Sequence, residues 1–523
     1  MTSRPLPRAI QSFERIRKGG YVYVDKTDLV WKLVNEPDVF YYLSRPRRFG
    51  KSVLVDTLEC YLTGQKNLFE GLKIMNLEKD WTVYPVIRLD MSCGGATAKT
   101  IRSYLDNCFG RYEKSYGITP KPTAQLADRF NDIIMAAYMK SGQQVAILID
   151  EYDSPLQHSW KTPDHEECTA IYREVFSILK ADDKYEKIVF ITGITKFTQI
   201  SLFSVLNNLC NISFDPRYTT ICGITEQEIE ETFQQELQEM AEYNGWTLEE
   251  THKRLKEYYD GYHFCRKNMV DIYNPFSLVN ALCDKDIRNY WASSGATKML
   301  PKFIDDAEIR MGDFDGCSIL STTLETSDVG NGGAELFLYQ SGYLTIKGSD
   351  EFGYILGFPN EEVRQALYDV VLPALTLRRQ GDVQSLQAQL YRQLGTGQLD
   401  AAKKTMRSLV ADVPYSNKKL ASMNMEERYR LIISTILHSV GIRVESERML
   451  SGGRIDLVAW TSRYIYVIEL KLQNKGGMKA AAQQIISRGY LEPFKADKRQ
   501  TIGLAVELDD FGKGIIDWEV VEG

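Results

Sequence analysis

The chain has 523 residues, more than one hydrophobic core usually supports, so we expect about two to four domains. Its hydrophobic fraction of 44% and charged fraction of 25% are ordinary for a globular protein. A net charge of -7 excludes a molecule coated in basic surface, but it leaves a local basic groove open. The N-terminal stretch lacks the apolar run of a secretory signal, and no run approaches the roughly 18 apolar residues of a membrane helix. We therefore expect no membrane partner.

Nine cysteines are scattered along the chain without any C-x-x-C pair, at positions 60, 93, 108, 168, 210, 222, 265, 283 and 317. An odd, scattered set is typical of reduced thiols and not of a disulfide framework or a zinc site. We expect small, buried, hydrophobic side chains at these positions and a cytoplasmic protein.

Short apolar runs alternate with helical patterns in the first part of the chain. The runs are rich in β-branched and aromatic residues and cover 38–46, 84–91, 144–153 and 187–196, with helical patterns at 51–63 and 98–115. Near-continuous apolar strands separated by helices favour a parallel sheet covered on both faces. The predicted fold class is α/β.

The rest of the chain divides into three segments by composition. Residues 224–360 begin with acidic helical segments and contain two apolar runs around a Gly-Ser-Asp turn at 335–358, which predict a hairpin, interpreted as the wing of a winged-helix-like region. A helical linker follows, and then a unit with a helix at 426–440, several strands and a helix at 478–490. The predicted domains are 1–223, 224–360, 361–424 and 425–523.

Residues 43–54, LSRPRRFGKSVL, connect the first apolar run to a helical pattern. In a phosphate-binding loop of the form G-x-x-x-x-G-K-[ST], backbone N–H groups wrap the phosphates, the lysine reaches the terminal phosphates and the hydroxyl ligates Mg²⁺. Gly50, Lys51 and Ser52 match this pattern, whereas Arg45 stands where the first glycine is expected. Alone, the tripeptide also fits a basic turn.

Two later strands favour the nucleotide interpretation. The run VAILIDEYD ends in Asp150 and Glu151, where ATPases place an aspartate near Mg²⁺ and a carboxylate beside the attacking water. The run KIVFITGITKF ends in Thr192 and Gly193, where a polar group can sense the terminal phosphate. Three strand ends in the correct order favour ATP binding over a basic turn. The predicted nucleotide-binding residues are Arg47, Arg48, Phe49, Gly50, Lys51, Ser52, Val53, Asp150 and Thr192.

These motifs resemble those of the bacterial AAA-ATPase-like proteins, which are relatives of the archaeal-type ATPases. The resemblance rests on FYYLSRPRRFGKSVLVDTLECYLTGQKNLFEGL, ILIDEYDSPL, FITGITKFTQISLFSVLNNL, YYDGYHF with YNPFSLVNAL, and GFPNEEVRQAL. It covers nearly the whole chain, and members commonly carry R-P-R-R-F-G-K-S, so Arg45 agrees with the family. The resemblance implies a P-loop ATPase fold, with ATP and Mg²⁺ bound at Lys51, Ser52 and Asp150 and with Glu151 as the catalytic carboxylate. Many members carry a nuclease-like C-terminal domain.

A second set of charged residues lies in GGRIDLVAWTSRYIYVIELKL, residues 452–472. Asp456 begins one apolar strand, and Glu469 and Lys471 end the next, where a spacing of two puts both side chains on one face. Two carboxylates can hold a divalent ion that activates water, and a nearby lysine can neutralise developing negative charge. The spacing resembles the PD-(D/E)xK nuclease core. Alone, it also fits an exposed Glu–Lys pair on a half-buried strand.

Two flanking residues extend the nuclease resemblance. Glu427, in the preceding helical pattern, matches an acidic residue often found there, and Gln484 matches the glutamine of the following helix. The resemblance implies a metal held by Glu427, Asp456 and Glu469, and a catalytic set of Asp456, Glu469, Lys471 and Gln484. Residues 421–523 contain 14 basic and 14 acidic residues, so their net charge does not itself indicate nucleic-acid binding.

Two functions remain open for the whole chain. The first is an ATP-dependent or ATP-regulated nuclease that uses ATP and Mg²⁺, with Mn²⁺ as an alternative ion at the nuclease site. The second is a nucleotide-controlled switch whose C-terminal domain binds nucleic acid without cutting it. Both predict a nucleic-acid partner, with DNA favoured over RNA, and both leave a homo-oligomer open.

Overall fold

The computed structural model describes residues 4–180, 183–195, 209–293, 314–326, 333–376, 380–413, 423–450 and 452–521. Part of the FITGITKFTQISLFSVLNNL motif lies outside these described residues. The chain folds into two compact units. The first combines Met1–Ser294 with Asp315–Asn360, and the second combines Gly295–Phe314 with Glu361–Gly523. The finer division into four domains stays a prediction.

A five-stranded parallel sheet forms the centre of the first unit. Its strands are β1 (Phe40–Ser44), β2 (Val86–Asp90), β3 (Val145–Asp150), β4 (Glu186–Gly193) and β5 (Cys210–Asn211), in the spatial order β2-β3-β4-β1-β5. All neighbouring pairs are parallel. Strand β3 is buried along its whole length, as expected for a parallel strand covered on both faces. The predicted α/β class is confirmed.

Helices cover both faces of this sheet. They are Phe13–Lys18, Thr27–Asn35, Lys51–Leu62, Ile74–Leu77, Ala98–Tyr116, Leu126–Ser141, Ser154–Ser159 and His165–Phe176, with 3-10 turns at Lys66–Phe69, Met91–Cys93, Ser177–Lys180 and Asp183–Tyr185. Successive residues of β1 enter different hydrophobic clusters, because side chains alternate along a strand. Phe40 and Tyr42 pack in one cluster, and Tyr41 and Leu43 pack in the other. The strand ends are therefore held between two packed layers.

The remainder of the first unit is a helical region with two small antiparallel sheets. Its helices are Glu226–Thr232, Gln234–Asn244, Leu248–Tyr259, Pro275–Asp284, Tyr290–Ser293, Ser321–Thr326 and Gly333–Ser341, with a 3-10 turn at Ile212–Phe214. Strands β6 (Ile224–Thr225) and β7 (Ile272–Tyr273) form one sheet. Strands β8 (Cys317–Leu320), β9 (Thr345–Ser349) and β10 (Gly353–Gly357) form the other, in the order β8-β10-β9.

The hairpin expected within 335–358 is shorter than the two apolar runs indicated. Strands β9 and β10 pair antiparallel around the Gly-Ser-Asp turn. The first apolar run instead lies in the helix Gly333–Ser341, where Leu336, Phe337 and Leu338 are buried. A short continuous apolar run does not distinguish a buried strand from a buried helix, which explains the difference. The winged-helix interpretation stays a prediction.

The second unit is built on a mixed five-stranded sheet. Its strands are β11 (Arg443–Leu450), β12 (Gly453–Trp460), β13 (Tyr464–Leu472), β14 (Gln500–Leu508) and β15 (Ile515–Val521), in sequential order. Only β13 and β14 pair in parallel. Its helices are Glu361–Thr376, Gln380–Gly395, Leu399–Ala411, Met425–Ser439 and Gly477–Ser487, with 3-10 turns at Gln473–Lys475 and Glu492–Phe494. The helices predicted at 426–440 and 478–490 are both present.

No helix in the described parts of the chain is both long and apolar enough to cross a membrane. All nine cysteines have free thiols. Five of them are buried, whereas Cys93 is exposed, so the expected burial holds for part of the set.

Candidate functional site

The loop between β1 and the helix Lys51–Leu62 turns back on itself at two residues with positive φ. Arg48 has φ 67° and Gly50, the residue before the helix, has φ 88°. Glycine adopts this left-handed conformation without steric cost, which is why it stands directly before the helix. The helix begins at Lys51, so the unpaired N–H groups of its first turn face the end of the loop, an arrangement that favours anions.

Lys51 is buried inside the curve of this loop. Its Nζ donates hydrogen bonds to the main-chain oxygens of Arg45 at 2.8 Å and Pro46 at 2.9 Å. Burial lowers the pKa of the Lys51 ammonium below its ordinary value, and the carboxylates of Glu151 and Asp150 oppose that shift. The ammonium is thus held where phosphate oxygens entering the loop can compete for it.

Arg45 stands where the loop pattern has its first glycine, and its side chain has a structural role. It is 1% exposed, and its guanidinium donates to the main-chain oxygens of Ser44 at 2.8 Å, Ser213 at 2.9 Å and Tyr218 at 3.3 Å. The same group lies over the ring of Phe264, 4.0 Å from its centroid. Burial lowers the pKa of Arg45 to about 10. Arg45 therefore anchors the start of the loop to the segment that follows β5.

The ends of β3 and β4 bring together Asp150 and Thr192, two of the residues predicted to bind the nucleotide. The Thr192 hydroxyl donates to Asp150 Oδ1 at 2.5 Å, and the main-chain N–H of Glu151 donates to the same oxygen at 3.0 Å. Glu151 has φ 47°, a strained conformation for a non-glycine residue. Burial raises the pKa of Glu151, and the charge of Lys51 opposes this rise. Lys51, Asp150 and Glu151 are thus close enough for their charges to interact.

A second, buried network that sequence reasoning missed connects the loop to these strand ends. Asp153 Oδ2 accepts hydrogen bonds from the N–H of Ile194 at 3.0 Å and from the N–H and hydroxyl of Thr195, both at 2.6 Å. Gln157 Nε2 donates to the same oxygen at 2.6 Å, and Arg47 Nη2 donates to Gln157 Oε1 at 3.2 Å. In the sequence, the only sign of this network is Asp153, the last acidic residue of the run VAILIDEYD.

The other loop residues have different environments. Phe49 is fully buried and packs edge-on against Tyr262 and Phe264, with ring centroids 4.7 and 5.4 Å away. This packing attaches the loop to the aromatic residues at 262 and 264. Arg48 is exposed, and its guanidinium lies 5.0 Å from the centroid of the Phe276 ring. Ser52 and Val53 are half-buried in the first helical turn.

The second unit brings Asp456 and Glu469 onto one face of its sheet. The β12–β13 ladder pairs Leu457 with Ile468, so one further step places Asp456 opposite Glu469. Asp456 Oδ2 accepts a hydrogen bond from the N–H of Leu470 at 2.9 Å, and Lys471 Nζ donates to Glu469 Oε1 at 3.0 Å. The predicted carboxylate pair and its lysine are therefore neighbours.

Burial dominates the electrostatics of this pair. Burial, and after it the neighbouring charge of Asp456, raise the pKa of Glu469 to about 7. Burial also raises the pKa of Asp456, against the Leu470 hydrogen bond and the charge of Lys471. For Lys471, burial lowers the pKa, but the ion pair with Glu469 and the charges of Asp456 and Glu426 together leave it above its ordinary value. Proton and cation thus compete for these two carboxylates.

The flanking helix presents Glu426 to this site, and not the predicted Glu427. Glu427 is exposed and forms a capping box with Asn424, accepting that residue's N–H at 3.3 Å. Glu426 is half-buried, accepts a hydrogen bond from Lys475 Nζ at 2.9 Å, and its charge raises the pKa of Asp456. Glu426 is therefore the better-placed carboxylate of this helix.

Gln484 lies in the helix Gly477–Ser487, and its side-chain hydrogen bond is to Tyr490 and not to the carboxylates. Its Nε2 donates to the hydroxyl of Tyr490 at 3.2 Å, and that hydroxyl donates to the main-chain oxygen of Arg454 at 2.9 Å. Through Tyr490, Gln484 thus supports the start of β12, two residues before Asp456.

The Asp456–Glu469 pair has the chemistry of a divalent-ion site. Glu469 is 1% exposed, and its Oε2 is buried without a hydrogen-bond partner among the described residues. A buried, unpartnered carboxylate oxygen is costly unless a cation satisfies it. Carboxylate oxygens without thiols or imidazoles suit Mg²⁺ or Mn²⁺. Within the described ranges, no three carboxylate, imidazole or thiol side chains converge as metal ligands, so the three-ligand set with Glu427 does not form there.

Two family models match the regions of the chain that contain these sites. A family model described as "Predicted AAA-ATPase" matches residues 7–203, and one described as "PD-(D/E)XK nuclease superfamily" matches residues 424–518. The chain is also 30% identical, over 539 aligned residues, to an "Uncharacterized protein in vnfD 5'region" from Azotobacter chroococcum mcd 1, covering 99% of each chain. The first match includes the loop and its strand ends, and the second includes the carboxylate pair.

Proposed function

We propose that this chain, which belongs to the AAA-ATPase-like family and carries a C-terminal domain of the PD-(D/E)XK nuclease superfamily, binds and hydrolyses ATP in its first unit and cuts nucleic acid in its second. The proposal includes Mg²⁺ at both sites, Mn²⁺ as an alternative ion at the second, and DNA as the preferred substrate. A homo-oligomer and a cytoplasmic location stay predictions.

In the first unit, the loop N–H groups and Lys51 would bind the phosphates of ATP. Ser52 and Asp150 would hold the Mg²⁺ that accompanies them, with Asp150 oriented by Thr192. Glu151 is the carboxylate that would orient and polarise the attacking water. Its positive φ and its main-chain hydrogen bond to Asp150 hold it at the strand end, next to the charge of Lys51.

In the second unit, the unpartnered Oε2 of Glu469 beside Asp456 and Lys471 carries the nuclease proposal. Asp456 and Glu469 would hold one divalent ion, which when bound activates a water and stabilises charge on the phosphodiester. Lys471, already fixed by Glu469, would neutralise the negative charge that develops during cleavage. Glu426, paired with Lys475, would add negative charge near the ion from the flanking helix.

The test is a cleavage assay on the purified full chain with DNA and RNA substrates, with Mg²⁺ or Mn²⁺, and with and without ATP. We expect metal-dependent cleavage that Asp456→Asn and Lys471→Ala abolish. Lys51→Ala should strongly weaken ATP binding in calorimetry, because it removes the cation of the loop, and should change cleavage only through its ATP dependence. Lys495→Ala is the control, since this lysine is 56% exposed and pairs with Glu492.

Two results would contradict the proposal. Equal ATP affinity of wild type and Lys51→Ala would reject the nucleotide site. Nucleic-acid binding without cleavage under either metal would reject the nuclease and favour the nucleotide-controlled switch.

A further inference from the structure

The ladder between β11 and β12 omits one pair beside the carboxylate site. Ser446 pairs with Leu457 and Arg448 pairs with Ile455, while Glu447 lies between them with φ 55°. Positive φ is strained for a glutamate and occurs where surrounding interactions hold the residue. By the same register, Glu447 lies across from Asp456.

Two arginines share the carboxylate of Glu447. Its Oε1 is 3.1 Å from Arg430 Nη2 and 2.9 Å from Arg454 Nη1. The other terminal nitrogen of Arg430, Nη1, is 3.8 Å from Asp456 Oδ1. Side chains of Glu447 and Arg454 are 39% and 55% exposed, whereas Arg430 is 18% exposed. Solvent therefore reaches an Arg–Glu–Arg group, defined here as Arg430, Glu447 and Arg454, that adjoins the candidate metal ligand.

The backbone of Arg454 is held by Tyr490, which follows the helix Gly477–Ser487. The Tyr490 hydroxyl donates to the main-chain oxygen of Arg454 at 2.9 Å and accepts a hydrogen bond from Gln484. Gly453 has φ 143°, and a Cβ there would lie 2.9 Å from the Tyr490 hydroxyl, so only glycine fits this approach. Gln484 thus acts as a positioning residue for Arg454.

We propose that Arg430 and Arg454 bind a backbone phosphate of the nucleic-acid substrate beside the bond to be cut, and that Glu447 takes the place of this phosphate in the free protein. This inference rests on the proposed nuclease function. Planar guanidinium groups match both carboxylate and phosphate oxygens, so a phosphate can replace Glu447 between the same two donors. Arg430 also contacts Asp456, which sets the bound phosphate next to the carboxylate pair.

The same strand offers a matched control. Glu445 pairs with Arg443 and Arg448, each at 2.8 Å, and these three residues all belong to β11. This second group has the same chemistry as the Arg–Glu–Arg group but its two ion pairs do not involve Asp456. A purely structural role for such groups would give equal effects on nucleic-acid binding at both places.

The experiment measures binding of a fluorescently labelled DNA duplex, and of an RNA duplex of the same sequence, to the full chain by anisotropy over a range of salt concentrations. All proteins carry Lys471→Ala to prevent cutting in Mg²⁺. Arg430→Ala and Arg454→Ala should each weaken binding roughly tenfold and reduce the slope of log affinity against log salt by about one, as expected for one lost phosphate contact. Arg443→Ala should do neither.

Glu447→Gln tests whether Glu447 occupies the phosphate position in the free protein or only forms a structural ion pair. We expect tighter binding than in the parent protein, because no carboxylate then competes with the phosphate, and no such gain for Glu445→Gln. Since Arg430 is largely buried, Arg430→Lys provides a milder change. It should retain the salt slope, because the charge stays, and lose affinity, because the two-pronged contact is lost.

The inference is overturned if Arg430→Ala and Arg454→Ala change binding no more than Arg443→Ala does, or if Glu447→Gln weakens binding. If the wild-type chain still cuts nucleic acid in that case, the proposed function stands and only the phosphate site fails. If wild type neither binds nor cuts DNA or RNA, the nuclease proposal and this inference fail together. A response confined to one of the two duplexes supports the site and identifies its nucleic acid.

Discussion

The hydroxyl of Thr192 donates a hydrogen bond of 2.5 Å to Oδ1 of Asp150, joining the ends of two neighbouring parallel strands. Both side chains are buried, with exposed fractions of 0% and 2%. This contact also fixes the direction of the second oxygen of Asp150, Oδ2, because a carboxylate held at one oxygen cannot rotate freely. The orientation of a proposed Mg²⁺ ligand is thus set by the adjacent strand.

Thr192→Val should therefore slow ATP hydrolysis roughly tenfold while preserving most of the ATP affinity. Valine keeps the shape of threonine but removes the hydroxyl donor and leaves Asp150 Oδ1 with only the N–H of Glu151, a loss of about 1–3 kcal/mol. Phosphate release measures turnover, and calorimetry measures affinity. Thr192→Ser is the control, since it retains the hydroxyl and should behave like wild type. Unchanged turnover in Thr192→Val would show that the contact does not serve catalysis.

Glu151→Gln should bind ATP normally and hydrolyse it about 100-fold more slowly or worse, the usual effect of losing a general base. The amide keeps the size of the side chain but cannot take a proton from water. Glu166→Gln, at an exposed position of the helix His165–Phe176, is the matched control and should retain full turnover. If Glu151→Gln hydrolyses ATP at the wild-type rate, another residue activates the water.

Arg45→Met should destabilise the protein by roughly 2–4 kcal/mol, because it leaves buried main-chain oxygens, including that of Ser213, without their charged donor. The loss appears as a lower midpoint in denaturant unfolding. Arg48→Met, at an exposed position of the same loop, should change stability by less than about 0.5 kcal/mol. Arg45→Gly recreates the usual loop pattern and should still be destabilised, so a stable glycine variant would contradict the anchoring role.

Glu469 should make the protein less stable as pH rises from about 4.5 towards about 7. Burial raises its folded-state pKa to about 7, so in this window the folded chain binds a proton that the unfolded chain has released. The stabilisation is present below the unfolded pKa and is lost as pH passes the folded pKa. Its size is a few kcal/mol.

Unfolding midpoints of wild type and Glu469→Gln at pH 5 and pH 8 measure this effect. Burial also raises the pKa of Asp260 to about 7 and of Asp369 to about 6, so the glutamine variant should lose only the part of the difference that Glu469 contributes. Glu519→Gln, exposed on β15, should keep the whole difference. Added Mg²⁺ should stabilise wild type more at pH 8 than at pH 5, because the ion binds the ionised carboxylates. The same pH dependence in wild type and Glu469→Gln would contradict the buried, proton-binding state of Glu469.

Local pattern by itself determined much of this protein. Apolar runs between helical patterns predicted β1 to β4 within a few residues, because fully covered parallel strands need continuous apolar sequence. The motifs also predicted that the loop, Asp150 and Thr192 stand at strand ends, whereas only the fold shows that these strands are neighbours in the sheet. The two-residue spacing of Glu469 and Lys471 placed both on one face of β13, since side chains alternate along a strand. These relations depend on short-range geometry.

Tertiary packing decided the remaining features. Neighbouring helical residues differ in direction by about 100°, so only the docking of the helix Met425–Ser439 directs Glu426 to the site and leaves Glu427 to its cap. Arg45 is bonded to Ser213 and Tyr218, residues far along the chain whose position no local pattern encodes. The positive φ of Glu447 likewise reflects the two arginines that hold it, one from a helix and one from the next strand. Sequence periodicity predicts the face of a helix or strand on which a residue lies. Which residue of another element contacts that face depends on how the elements pack.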